Sequence, residues 1–210
     1  MSGQNLLRLS GIALLVGSPV YIISDVLNIV FNSQASAPPP PLAAIFGLIG
    51  IMFLIIGMPG ILVRQATKAG TLGLIGWIVF FCSALLGAGL FVGLAVFFQL
   101  IPQAAQDGAP PASFFALIIT LAATQLVGGI LLGIATIRAR IFSSWIGWLL
   151  IVSSLVSAAA FPLEGIVNTV VTTGADLLLI AALGWSGYSL IQTSEVPAQE
   201  AVSATQTASA

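Results

Sequence analysis

The stretch LAAIFGLIGIMFLIIGMPGILV (42–63), RQATKAG (64–70) and TLGLIGWIVFFCSALLGAGLFVGLAVFFQLI (71–101) decides the fold. It is two apolar runs flanking a short basic turn. Each run reaches the roughly 20 residues that a helix needs to cross hydrocarbon. Neither shows the period-two alternation of a barrel strand. Outward from this hairpin, similar runs cover about 9–31, 113–137, 144–161 and 169–191. Pro-rich connections from Asn32 to Pro41 and from Pro102 to Ala112 cannot continue a helix. A second basic turn covers Arg138 to Ser143, and the link from Phe161 to Asn168 holds Pro162 and Glu164. The expected fold is therefore all-α: an integral membrane bundle of six transmembrane helices over residues 1–192. Residues 193–210, rich in Ala, Ser, Thr and Gln, are expected to form a disordered cytoplasmic tail.

Composition points the same way. The chain is 59% hydrophobic and only 5% charged over 210 residues, whereas soluble domains carry about 25% charge. A globule needs a wettable exterior, and this chain has too little polar surface to build one. Five basic residues make no patch for nucleic acid. There is no histidine, and the single Cys82 excludes an internal disulfide or a thiolate cluster. No cofactor or metal centre is expected.

All five basic residues, Arg8, Arg64, Lys68, Arg138 and Arg140, fall on alternate boundaries. The positive-inside rule then sets these boundaries in the cytoplasm, with both ends inside and both Pro-rich loops outside. Trp145, Trp148, Trp185 and Tyr188 lie near the inner boundaries, as an interfacial belt requires, and Trp77 about two turns deeper. The expected location is the cell (cytoplasmic) membrane. Ala35-Ser36-Ala37 resembles a signal-peptidase site, but the run before it exceeds an ordinary h-region and contains Asp25. A cleaved signal is not expected.

Helices in lipid associate through close backbone approach more than through hydrophobicity. Gly89 with Gly93, Gly129 with Gly133, and Ser153 with Ser157 are spaced to do this. The run Leu42 to Val63 has no polar side chain and is expected to face lipid. The third run, about 45 Å as a straight helix, is expected to tilt, protrude or break near Gly87, Gly89 or Gly93. Ile75-Gly76-Trp77 recurs as Ile146-Gly147-Trp148, with Ser83 and Ser154 at the same offset, which suggests repeated hairpins.

Two aspartates, Asp25 and Asp176, stand inside long apolar runs with no basic residue near them in sequence. An ionisable side chain costs roughly 3 kcal/mol at a helix centre in hydrocarbon, so it is either satisfied by packing or kept for a task. On the first helix Ser18, Tyr21, Asp25, Asn28 and Asn32 form one stripe. On the last, Asn168, Thr172 and Asp176 repeat at steps of four, beside Thr169 and Thr173. At about 1.5 Å per residue both aspartates lie roughly 8–9 Å below the outer surface. Together Asp25, Asp176, Tyr21, Asn28, Asn168 and Thr172 form a candidate proton or cation site, in which two carboxyls at close quarters would share a proton. The plainer alternative is hydrogen bonding between helices. Glu164 and Asp107, in external links, are expected to be solvated.

Gly184-Trp185-Ser186-Gly187 resembles the GxSG motif of rhomboid intramembrane proteases, whose serine requires a histidine base; this chain has none. Paired membrane aspartates also resemble the presenilin-type aspartyl proteases, but Gly174-Ala175-Asp176 departs from the GxGD motif. Ser24 stands where that family has the tyrosine preceding its other acid. No phosphate loop or dinucleotide fingerprint is present, so no enzyme is expected. The expected function is a non-enzymatic interaction or accessory protein, with the lipid bilayer and a second copy or another membrane protein as partners. The alternative is a small transporter or channel coupling proton or cation movement to Asp25 and Asp176.

Overall fold

The computed structural model describes residues 3–31, 41–94, 112–163 and 165–208, with the side chains of 4–31, 41–94, 115–163 and 165–192. Asn32, the Ala35-Ser36-Ala37 stretch, both Pro-rich connections, Asp107, Glu164 and the end of the third run (95–101) lie outside them.

Among the described residues the chain is all-α, with five helices: α1 (Gly3–Phe31), α2 (Pro41–Val92), α3 (Ala112–Ala139), α4 (Ser144–Ala160) and α5 (Gly165–Ala208). Four of them contain segments long and apolar enough to cross a membrane: Gln4–Phe31, Pro41–Val92, Phe115–Ala139 and Gly165–Gln192. The fifth, Ser144–Ala160, is apolar but has 17 residues. Large apolar side chains face outward along the helices, among them Ile12, Val26, Ile56, Ile78, Leu85, Ile119 and Leu155. A surface so widely apolar suits a protein embedded in lipid.

The separate second and third helices expected from the sequence are one helical element. At 52 residues a straight α2 would be about 78 Å long, but its backbone leaves helical geometry at Gly70 (φ 59°, ψ −160°). The two arms, 41–69 and 71–92, fold back on each other. Trp77 Nε1 donates to the Met58 carbonyl at 3.0 Å, Gly87 faces Ile51, and Gly47 faces the Phe91 ring. The basic turn expected over Arg64 to Gly70 thus narrows to one residue, because Gln65, Thr67 and Ala69 have no reason to leave the helix and glycine alone tolerates this backbone.

Glycines also set the other neighbours. Gly11 and Gly187 approach so closely that a Cβ on either would sit 2.7 Å from the other's carbonyl oxygen, joining α1 to α5. A Cβ on Gly50 would meet the Tyr21 backbone nitrogen at 2.7 Å, and one on Gly57 the Ser10 carbonyl at 2.8 Å, joining α1 to the first arm of α2. Gly76 and Gly128 join the second arm to α3; Gly133 and Gly147 join α3 to α4. With α4 against α5, the helices form a closed ring of antiparallel neighbours. This antiparallel order gathers Arg8, Arg64, Lys68, Arg138 and Arg140 toward one end, where Gln65 Nε2 donates to Thr136 Oγ1 at 2.9 Å. Trp145, Trp148, Trp185 and Tyr188 are exposed toward that end.

Several expectations are corrected. The run 42–63 does not simply face lipid. Ala43, Ala44, Gly47, Gly50, Ile51, Leu54, Gly57, Met58 and Ile61 are buried, since in a bundle of this kind small residues rather than polar ones mark a packed face. Gly129 and Gly133 pack as their spacing suggests, but a Cβ on Gly89 or Gly93 would meet nothing among the described residues. The helix continues unbroken past Gly87 and Gly89 to Val92. The Ile-Gly-Trp echo is not repeated in packing. Gly76 faces the helix that follows it and Gly147 the one that precedes it, while Trp77 is hydrogen-bonded inside and Trp148 is exposed. α5 begins at Gly165 and ends at Ala208.

Gly70→Ala is expected to destabilise the fold by about 1–3 kcal/mol, the cost of a side chain in a glycine-only region. Gly89→Ala, which enters open space on a helix, should change stability by less than about 0.5 kcal/mol. Reversible unfolding of both variants in lipid bicelles measures the difference.

Candidate functional site

The register that seats Gly11 on Gly187 continues along α1 and α5. Ser18 Oγ donates to its own helix at Leu14 O (2.7 Å) and lies 3.5 Å from Ile180 O on α5. Two turns further along α1 stands Asp25, and Asp176 lies one turn before Ile180 on α5. The two carboxyls are electrostatic neighbours of each other, and both are neighbours of the Tyr21 hydroxyl. No basic group acts on Asp25 or Asp176 among the described residues.

Inside the ring, in the half remote from the basic end, lies a cavity of about 340 Å³. All five helices contribute to its wall. Tyr21 comes from α1, Met58 and Phe80 from the two arms of α2, Gln125 from α3, Ser157 from α4 and Asp176 from α5. The ring of Tyr21 meets Phe91 edge to face, with centroids 5.8 Å apart. Most of the wall is hydrocarbon; three polar groups, Asn168, Thr172 and Asp176, come from α5, and the others, Tyr21, Ser83, Gln125 and Ser157, come one each from the remaining helices.

Of the residues singled out from sequence, Tyr21, Asn168, Thr172 and Asp176 line the cavity. Asp25 and Asn28 do not. Asp25 Oδ2 and Asn28 Oδ1 are buried without a hydrogen-bond partner. A buried acceptor left unpaired costs about 1–3 kcal/mol, so this pair is either a local weakness of the fold or a place where a proton or a ligand is received. The other intramembrane hydroxyls offer a contrast. Ser83, Thr136, Ser153, Ser154 and Ser186 each donate to a carbonyl of their own helix, which satisfies them at no cost to packing. Ser24 instead crosses to α2 and donates to Ala43 O at 2.7 Å.

Asn168 has a structural task as well. Its Nδ2 donates to Ala160 O at 2.8 Å and to Leu163 O at 3.1 Å, closing the C-terminus of α4, where helix carbonyls lose their internal partners. The sequence reading passed over Gln125, Ser83 and Ser157 on the cavity wall. Gln125 was visible as the only amide in its run, but its helix gave no stripe to align it with. Ser186, in the GxSG-like stretch, is buried and bonded to Ala182 O at 2.8 Å, and the neighbouring Gly187 is consumed by the α1 contact. Among the described residues no group of histidine, cysteine or acidic side chains could hold a metal ion.

No known protein family, curated protein or solved structure matches the chain.

Asn168→Leu should destabilise the fold by about 1–3 kcal/mol, because it leaves the α4 carbonyls unpaired. Thr172→Val, a near-isosteric change on the cavity wall, should leave stability within about 0.5 kcal/mol. Thermal unfolding of the two purified variants beside the parent separates the capping residue from the lining residue.

Proposed function

We propose that this chain is a non-enzymatic multi-pass protein of the cell membrane that crosses the bilayer six times, both ends cytoplasmic. We further propose that it is a small transporter whose central cavity binds and passes a cation or proton using Asp25 and Asp176. The six crossings are supported by the fold-back of α2 at Gly70, which divides a helix too long for one passage into two arms. α4, at 17 residues, sits at the short end of the spanning range of about 17–25. The orientation is supported by the five basic residues gathered at one end, which the positive-inside rule assigns to the cytoplasm.

One observation carries the transport reading: a cavity at the centre of an apolar bundle, bordered by Asp176, with a second acid as its neighbour and no base to neutralise either. Acids that served only to tie helices together would be expected to have partners, as Ser24 and Gln65 do. Instead the Asp25 Oδ2 acceptor is unpaired. Ionisable residues facing a cavity inside a membrane mark ion paths and proton relays.

Thiol accessibility tests this. With Cys82→Ala as background, Thr172→Cys and Leu179→Cys at the cavity wall should react with a membrane-impermeant reagent applied to intact cells. Leu177→Cys, facing outward on the same helix, should not. In proteoliposomes, Asp176→Asn should abolish gradient-driven proton uptake while the protein still elutes as the parent does. A cavity dry at acid and alkaline pH alike would make the chain an interaction or accessory protein with structural aspartates, acting through a second copy or another membrane protein.

A further inference from the structure

We infer that the ligand of the central cavity is a lipophilic organic cation, held by Asp176 as counter-ion. The inference rests on the reading of the cavity as a water-reached binding site and adds the chemistry of what enters it.

The argument begins with the wall. An inorganic cation stripped of water needs a shell of about six oxygen ligands. Here the oxygens of Tyr21, Gln125, Asn168, Thr172 and Asp176 are spread over a surface that is mostly hydrocarbon. The cavity volume of about 340 Å³ falls at the lower end of the ~300–1,000 Å³ typical of small-molecule sites. A ligand that fills such a space must be largely apolar to gain from burial.

Charge then fixes the sign. Asp176 is on the wall, and Asp25 and Tyr21 on α1 are its ionisable neighbours; none can supply a positive charge at neutral pH. Among the described residues every lysine and arginine lies toward the other end of the ring. Asp25, itself buried, has a carboxyl oxygen with no partner. An anionic ligand would meet carboxyls without compensation, and an apolar neutral one would leave Asp176 without a partner. A cation satisfies it.

The aromatic groups complete the match. Phe80, Phe91 and Tyr21 border the cavity, and Tyr21 and Phe91 are fixed edge to face. Aromatic faces attract organic cations, by about 2 kcal/mol or more when desolvated. A proton and an organic cation would compete for the same carboxyl, so binding of one releases the other. That competition is how proton movement and ligand movement become coupled.

The test uses the full chain in lipid nanodiscs and equilibrium dialysis of two probes, benzyltrimethylammonium and its neutral carbon isostere, neopentylbenzene, with empty nanodiscs as baseline. The expected result is saturable binding of the cation, at least about tenfold tighter than that of the isostere. Acidification should weaken it. Asp176→Asn should lose about tenfold or more, Asp176→Glu should retain binding, and Phe91→Leu should weaken it several-fold. Equal binding of cation and isostere to the parent protein overturns the inference, and so does unchanged cation binding in a folded Asp176→Asn. Should Asp176→Asn fail to fold, the probe pair on the parent still decides. A cavity that is labelled by thiol reagents yet ignores the cation sinks this inference alone; a dry cavity sinks the transport reading with it.

Discussion

Close approach of backbones at glycine is the constraint on which the rest of this structure depends. Lipid tails are as apolar as leucine, so burying leucine between helices in a membrane gains little, and packing must come from shape. Five of the six neighbouring contacts around the ring are made at glycines: Gly11 with Gly187, Gly50 and Gly57 with α1, Gly47 and Gly87 between the arms of α2, Gly76 and Gly128 with each other's helices, and Gly133 with Gly147. The exception among the described residues is α4 against α5, where Asn168 ties the ends together through Ala160 and Leu163. Gly174, on the same helix as Asn168, faces open space. The tight joints and the looser one belong to a single arrangement.

The cavity follows from that arrangement. A ring of helices closed at glycine contacts has short distances between neighbours and a fixed circumference, and its centre must be filled by side chains. Toward the basic end Leu14, Met58, Ile61, Leu132, Ile146 and Leu190 fill it and are almost wholly buried. Toward the other end the wall mixes large residues such as Ile51, Phe80, Phe91 and Leu179 with small ones, Ser83, Ala84, Gly87, Ala122, Ser157 and Ala160. The small positions leave space that the large side chains beside them do not close.

Polarity is distributed just as unevenly. Serine and threonine hydroxyls satisfy themselves on their own helix carbonyls, so their abundance reveals little about function. Carboxyls have no such recourse, because a helix leaves no free donor in its interior. Asp25 and Asp176 are therefore the groups for which the bundle provides no answer of its own, and they are neighbours across the α1–α5 joint. Glycine contact and acid pairing thus share one interface. Gly11 and Gly187 draw the two helices together, and the two acids are electrostatic neighbours across the same joint.

The apolar runs, the absence of histidine and the alternate placement of basic residues are properties of the sequence, and they determined an all-α chain suited to lipid, because hydrocarbon admits only a backbone that bonds to itself. The two polar stripes were legible for the same reason that helices are: side chains at steps of three and four share a face. The partners across space were not. Run 42–63 read as lipid-facing because it lacks polar groups, yet its small residues pack it between α1 and the second arm of α2. Gly89 and Gly93 have the same spacing as Gly129 and Gly133 and meet nothing among the described residues. Spacing says only that two residues share a face; which helix comes to that face depends on every other joint in the ring. Tertiary structure alone decided that Gly70 is an elbow, that Asn168 closes α4, that Asp176 borders a cavity and that Asp25 does not, because each is set by contacts between residues far apart in the chain.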